Sequence, residues 1–144
     1  MRTLETKLGW PPDLAAYFEQ QLRVHFPESW IDGHQQLISK VRNHPKDRHV
    51  LAAAAYARVP WIVTFNLRDF RHEDTSPWGV VAIHPDDFLV LLMRQNPVVV
   101  MATLRAQAAL RRRGFEAFLE IMEKSAPQFV ALALSIQSGR GSAL

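Results

Sequence analysis

Pro60-Trp61-Ile62-Val63-Thr64-Phe65 is a continuous run of strand length, and such runs suit a strand buried on both faces of a parallel sheet. Val80-Val81-Ala82-Ile83 repeats the pattern on a smaller scale. Each run sits beside a helical stretch. His44-Pro45-Lys46-Asp47 opens one helix, with Pro45 at the first helical position and Asp47 in the first turn. The small residues of Val50-Leu51-Ala52-Ala53-Ala54-Ala55 let that helix pack closely on a sheet. His84-Pro85-Asp86-Asp87 opens another, running through Phe88, Leu91 and Leu92. Helices alternating with short apolar strands predict an α/β layered fold with a parallel sheet.

The flanks fill out the pattern. Pro11-Pro12-Asp13 starts a helix whose Leu14, Phe18 and Leu22 form one apolar stripe, ending before Pro27. Ser29 to His34 reads as a short strand and turn, and Gln35 to Arg42 as a brief helix. Asn96-Pro97 starts a helix running to Arg113, with Gly114 as its stop. Phe115 to Lys124 and Pro127 to Ile136 follow as two amphipathic helices, and the tail after Gln137 reads as frayed. With 144 residues, the chain fits one ordinary domain: an α/β part over 1–95, a helical extension over 96–137 and a disordered tail over 138–144.

Asn66 to Phe70 forms a loop or single turn at the carboxyl end of the first strand, the edge where open α/β sheets bind ligands. A helix leading into that strand begins at the same edge, so Asp47 can face Asn66 and Asp69 across a small cleft. Oxygen donors gathered this way suit Mg²⁺ or Mn²⁺. Each residue also has a plain structural use. Asp47 can serve as a charge at a helix N-terminus, and Asn66 and Asp69 can bond their own backbone. His49, His72 and His84 are isolated histidines, and His84-Pro85-Asp86-Asp87 reads as a second acidic site or, more simply, as a cap with first-turn acids.

Composition narrows the classes. There is no cysteine, which removes disulfides and thiolate chemistry. Met1 to Lys7 is polar and carries both signs, with no apolar segment behind it. The longest apolar stretches, Pro97 to Met101 and Phe129 to Leu134, fall far short of the ~20 residues that span a bilayer. A cytoplasmic protein without membrane contact is expected. The net charge is +3, and the basic residues Arg105 and Arg111-Arg112-Arg113 read as a helix end facing its own dipole or as an RNA-contacting patch.

Asp47-Arg48-His49-Val50-Leu51-Ala52-Ala53-Ala54, then Ile62-Val63-Thr64-Phe65-Asn66-Leu67-Arg68-Asp69-Phe70, then Gly79-Val80, then His84-Pro85-Asp86-Asp87-Phe88-Leu89 resembles the PIN domain family. More narrowly it is similar to the branch of VapC-type toxins, from about Leu8 to Leu89, with weaker similarity in the helical tail. The resemblance implies a flavodoxin-like parallel sheet and cleavage of single-stranded RNA dependent on Mg²⁺ or Mn²⁺. It makes Asp47 the family's third acidic position, and sets Asn66 at the position after the Thr-containing strand and Asp69 as the acid three residues on. Thr64 would orient a water or a phosphate.

The family's first strand, ending in an acid, and its early-helix Glu have no counterpart here. Glu5 is a poor substitute, since its motif context is wrong. The expectation is therefore a PIN-like sheet incomplete at its N-terminus. A homo-oligomer would fill the missing-strand edge, and an antitoxin-like protein would be a partner, bound by the helical tail. The alternative is a non-catalytic PIN-like module that binds protein or RNA.

Overall fold

A computed structural model describes residues 9–139. The start of the chain, with Glu5, and residues 140–144 of the expected tail lie outside the described residues. Ser138 and Gly139 form a turn after the last helix.

Helix α1 (Pro12–His25) begins on prolines and carries Asp13 in its first turn and Arg23 and His25 in its last, charges matched to the helix dipole. Its expected apolar stripe is not buried. Leu14 and Phe18 are exposed, and Ala15 alone is fully covered. Arg23 pairs with Glu19 at 2.7 Å and lays its guanidinium 3.7 Å from the centroid of Trp30. The strand expected at Ser29–His34 is absent, as is the helix at Gln35–Arg42. Short 3-10 turns at Pro27–Ser29 and His34–Leu37 take their place. Gly33 fits the turn that replaces the strand, with φ at 89°, where other residues are strained, and the Tyr56 hydroxyl 2.7 Å from where a Cβ would sit.

A 3-10 turn, Pro45–Asp47, leads directly into α2 (Arg48–Ala57). This helix buries Leu51, Ala52 and Ala54. It ends in a paired closure in which Arg58, at φ 55°, donates to the Ala55 carbonyl and Val59 donates to that of Ala54. Strand β1 (Trp61–Val63) follows. A 3-10 turn at Leu67–Asp69, the one-turn helix α3 (His72–Thr75) and a second 3-10 turn at Ser76–Trp78 carry the chain to β2 (Val81–Ile83). The two strands pair in parallel, Trp61 opposite Val81 and Val63 opposite Ile83.

Parallel pairing agrees with the sequence reading; double burial does not. Trp61, Val63 and Phe65 are exposed, and so is Val81, while Ile62 and Val80 are covered. Only one face of the strand pair is packed, chiefly by α2, among the described residues. The core on that side joins Val41, Leu51, Ala52, Ala54, Ile62, Phe70 and Val80. The sheet itself has two strands among the described residues, so the architecture is mostly helical with a small parallel sheet.

The remaining helices are α4 (Pro85–Gln95), α5 (Pro97–Leu110), α6 (Phe115–Glu123) and α7 (Pro127–Gln137). They enclose a second core of Met93, Met101, Leu104, Ala108, Phe118, Leu119, Ala126, Phe129, Val130 and Ala133. Phe129 and Leu119 are each 1% exposed, and burial of such side chains stabilises by roughly 1.5–3 kcal/mol apiece. Gly114 does not stop α5. The helix closes earlier, with Arg112 at φ 52° donating to the Ala109 carbonyl and Arg113 to that of Ala108, and Gly114 leads into α6 at φ −59°.

A carboxylate ties α4 to α7. Asp86, 2% exposed, accepts from the backbone N–H of Gln128 at 3.0 Å and of Phe129 at 2.8 Å. Gln128 returns a side-chain bond to Asp87 at 3.0 Å. No helix among the described residues is long and apolar enough to cross a membrane.

Candidate metal centre

Thr64 is the last residue to join the strand pair, its N–H donating to the Ile83 carbonyl at 3.0 Å. Its hydroxyl then accepts from the Asn66 N–H at 3.0 Å, which bends the chain out of the strand. The bend delivers the 3-10 turn Leu67–Asp69. Within it the Asn66 amide donates to a carboxylate oxygen of Asp69 at 2.5 Å. Asn43, 1% exposed, holds the same turn from behind through a long 3.5 Å bond from its amide to the Asp69 carbonyl. Asp69 is thus fixed on both its side chain and its backbone.

The second arm is the 3-10 turn before α2. Its closing bond runs from the Asp47 N–H to the His44 carbonyl at 2.9 Å. A 3-10 turn has three residues per revolution, so residues i and i+3 stand one above the other. His44 and Asp47 therefore share a face, and Asp69 completes the group. One ligand atom from each of His44, Asp47 and Asp69 lies within 4.8 Å of the others.

The surroundings keep Asp69 ionised. Asn66 first, then His44 and Arg68, hold the Asp69 carboxyl below the usual carboxylate range, against an opposing push from partial burial. Arg68 contributes from a fully solvated position, 3.7 Å from the carboxylate. Asp47 Oδ2 is sealed from solvent and finds no hydrogen-bond donor. A sealed carboxylate oxygen without a donor is costly unless something positive meets it. The donor set, two carboxylates and an imidazole, fits a divalent ion.

Of the residues singled out in the sequence, Asp47 and Asp69 come together. Asn66 stands beside them, bonded to Asp69, and Thr64 stands one step further back, bonded to Asn66. His44 was not singled out. Its signal was the three-residue spacing to Asp47 across Pro45, which sets both residues on one face in a 3-10 turn or in the first turn of an α-helix. The other histidines divide differently. His84 Nδ1 accepts from the Asp86 N–H at 3.2 Å and meets the Phe65 ring edge-on, so it caps α4 as the simpler reading had it. The acids that follow it serve α7, as described above. His49 and His72 are exposed and belong to no three-residue ligand group among the described residues.

Two further surface features carry cations. An open cleft of about 370 Å³ is lined by Lys40, Arg42, Glu73, Asp74, Pro77 and Trp78. Its Arg42 directly precedes Asn43 along the chain. Arg105 and Arg111 lie over Phe115 and Phe118 at 5.6 and 5.9 Å, and the Arg111–Arg113 segment is exposed at the C-terminal end of α5.

Residues 85–135 match the family model described as the VapC50 C-terminal domain. That stretch coincides with the second core, α4 to α7, where the resemblance read from the sequence was the weaker. The chain is also 50% identical over 58 residues to the protein named "Putative ribonuclease VapC50" of Mycobacterium tuberculosis. The matched stretch is 40% of this chain and 34% of that protein, so the chain spans about a third of the relative's length. No solved structure matches.

Proposed function

We propose, from the premise that this chain is a relative of the VapC-type PIN toxins, that His44, Asp47 and Asp69 form the divalent-metal centre of an endoribonuclease acting on single-stranded RNA. The observation that carries the reading is the convergence of one ligand atom each from His44, Asp47 and Asp69 within 4.8 Å of one another, beside a sealed Asp47 Oδ2 that accepts no hydrogen bond. A bound Mg²⁺ or Mn²⁺ would supply an activated water and offset charge building on the scissile phosphate.

The chain's own residues do the positioning. Asp47 and Asp69 hold the cation, and Asn66 keeps the Asp69 carboxylate ionised and in one orientation. Thr64 fixes the bend that presents Asn66, while its own hydroxyl proton stays free to meet a water or phosphate oxygen. Lys40 and Arg42, in the cleft they share with Glu73 and Asp74, offer cations to a phosphodiester backbone, and Trp78 offers a face on which a base can stack. Sites of this kind accept unpaired strands because every base has a π-face.

The wider reading follows from the same kinship: a toxin held by an antitoxin-like partner, cytoplasmic, and assembled from more than one copy. The bare edges of the two-stranded sheet among the described residues support assembly, because unpaired strand edges recruit further strands. Exposed Trp61, Val63 and Val81 beside those edges add apolar surface for the same contact.

Cleavage of single-stranded RNA by the purified chain in Mg²⁺ or Mn²⁺, beside Asp47→Asn, tests the reading. Metal-dependent cutting that drops by about 10²-fold or more in the variant supports it. No cutting, or equal cutting by both proteins, replaces it with the second reading, a non-catalytic PIN-like module that binds RNA or protein.

A further inference from the structure

His44 is an imidazole in a centre otherwise built of carboxylates, and its place there is set by the backbone. The 3-10 turn Pro45–Asp47 is closed by the Asp47 N–H on the His44 carbonyl at 2.9 Å, and Pro45 locks φ at the turn's first residue. The two side chains are therefore held on one face before any ligand arrives. The third member, Asp69, is braced from a separate element by Asn66 and Asn43. His44 is solvent-exposed, so its ring can turn without disturbing the core, whereas Asp47, with which it is grouped, has a sealed Oδ2 that accepts no hydrogen bond.

We infer that His44 is a metal ligand of this centre and that it tilts the site's preference from Mg²⁺ towards first-row ions that accept imidazole nitrogen, Mn²⁺ and Co²⁺ among them. The inference rests on the metal-centre reading above. The chemistry is one of ligand type. Mg²⁺ demands near-octahedral oxygen and keeps its waters, so a nitrogen donor adds little to its binding. First-row ions gain from imidazole in the order of their general affinity, with Co²⁺ above Mn²⁺. A one-imidazole, two-carboxylate set leaves the remaining positions for water and for a phosphate oxygen.

Calorimetric titration of the full chain with Mg²⁺, Mn²⁺ and Co²⁺ is the test, repeated on His44→Ala and Asp47→Asn, with circular dichroism confirming that each variant stays folded. The expected result is Co²⁺ and Mn²⁺ binding at least about tenfold tighter than Mg²⁺. His44→Ala should remove about tenfold from Co²⁺ and Mn²⁺ while changing Mg²⁺ by less than about twofold. In NMR spectra, Mn²⁺ should broaden the His44 ring signals ahead of those of His49 and His72, and Asp47→Asn should abolish that order. Unchanged Co²⁺ and Mn²⁺ affinity in His44→Ala, with loss in Asp47→Asn, overturns His44 as a ligand and leaves a carboxylate centre standing. Equal weakening of all three ions overturns the selectivity. No binding of any ion by the parent chain overturns both the inference and the metal-centre reading.

Discussion

At the scale of single residues, Asp69 is held twice while remaining close to water. Its side chain is held by the Asn66 amide and its backbone carbonyl by Asn43. Asn66 is the first cause of its lowered pKa, so Asn66→Ala should move the Asp69 titration upward, towards the ordinary carboxylate value, as read from its carboxyl carbon shift by NMR in metal-free buffer. The sign for stability follows. A carboxyl whose folded pKa is depressed contributes stability that is present above its unfolded pKa and is lost as pH falls through the folded one. Acid should therefore loosen the Leu67–Asp69 turn only below the usual carboxylate range, and in Asn66→Ala at a higher pH than in the parent. Gly33 is constrained in another way. An alanine there must adopt φ near 89° and displace the Tyr56 hydroxyl, so Gly33→Ala should cost about 1–3 kcal/mol in a denaturant titration.

At the scale of elements, helix ends decide more than helix interiors do. Asp86 was legible as a first-turn acid of its own helix, and His84 does cap that helix. What the sequence could not show is that Asp86 turns away to cap α7, 42 and 43 residues further on. Asp86→Ala leaves two helix N–H groups without an acceptor in a buried setting. It should lower unfolding stability by about 2–4 kcal/mol, with faster amide exchange at Gln128 and Phe129 as the local signature. Both α2 and α5 close on an arginine in the left-handed region, where glycine is the unstrained choice. Arg112→Gly should thus raise stability by roughly 0.5–1 kcal/mol, since the relief of strain exceeds the entropy that glycine adds to the unfolded chain. The opposite sign would show that the guanidinium makes contacts worth more than the strain.

At the scale of the whole molecule, two cores share one chain. The first gathers around α2, β1 and β2, and the second lies among α4 to α7. Trp61 and Phe88 touch across the two, with ring centroids 6.5 Å apart. Phe129→Ala should cost about 3–5 kcal/mol and raise amide exchange through α4–α7, while protection at Leu51 to Ala54 falls by less. Equal loss in both regions would mean that the cores unfold as one unit.

The sequence by itself determined the elements whose causes are local. Proline at first helical positions set where α1, α4, α5 and α7 begin, small residues let α2 lie close to the strand, and the Thr64–Asp69 motif fixed a turn at the strand's end. It also brought Asp47 and Asp69 forward as partners. Tertiary structure alone decided the rest. The expected double burial of Trp61 to Phe65 gave way to one covered face, because burial depends on which layers pack against a strand and not on the strand's own composition. Asp86 found its acceptor role through the packing of a helix far along the chain. His44 joined the metal-binding group because the fold carries the Leu67–Asp69 turn up to the turn before α2. Three-residue spacing sets His44 and Asp47 on one face in a 3-10 turn and in an α-helix alike, and only the folded backbone brings Asp69 within 4.8 Å of both.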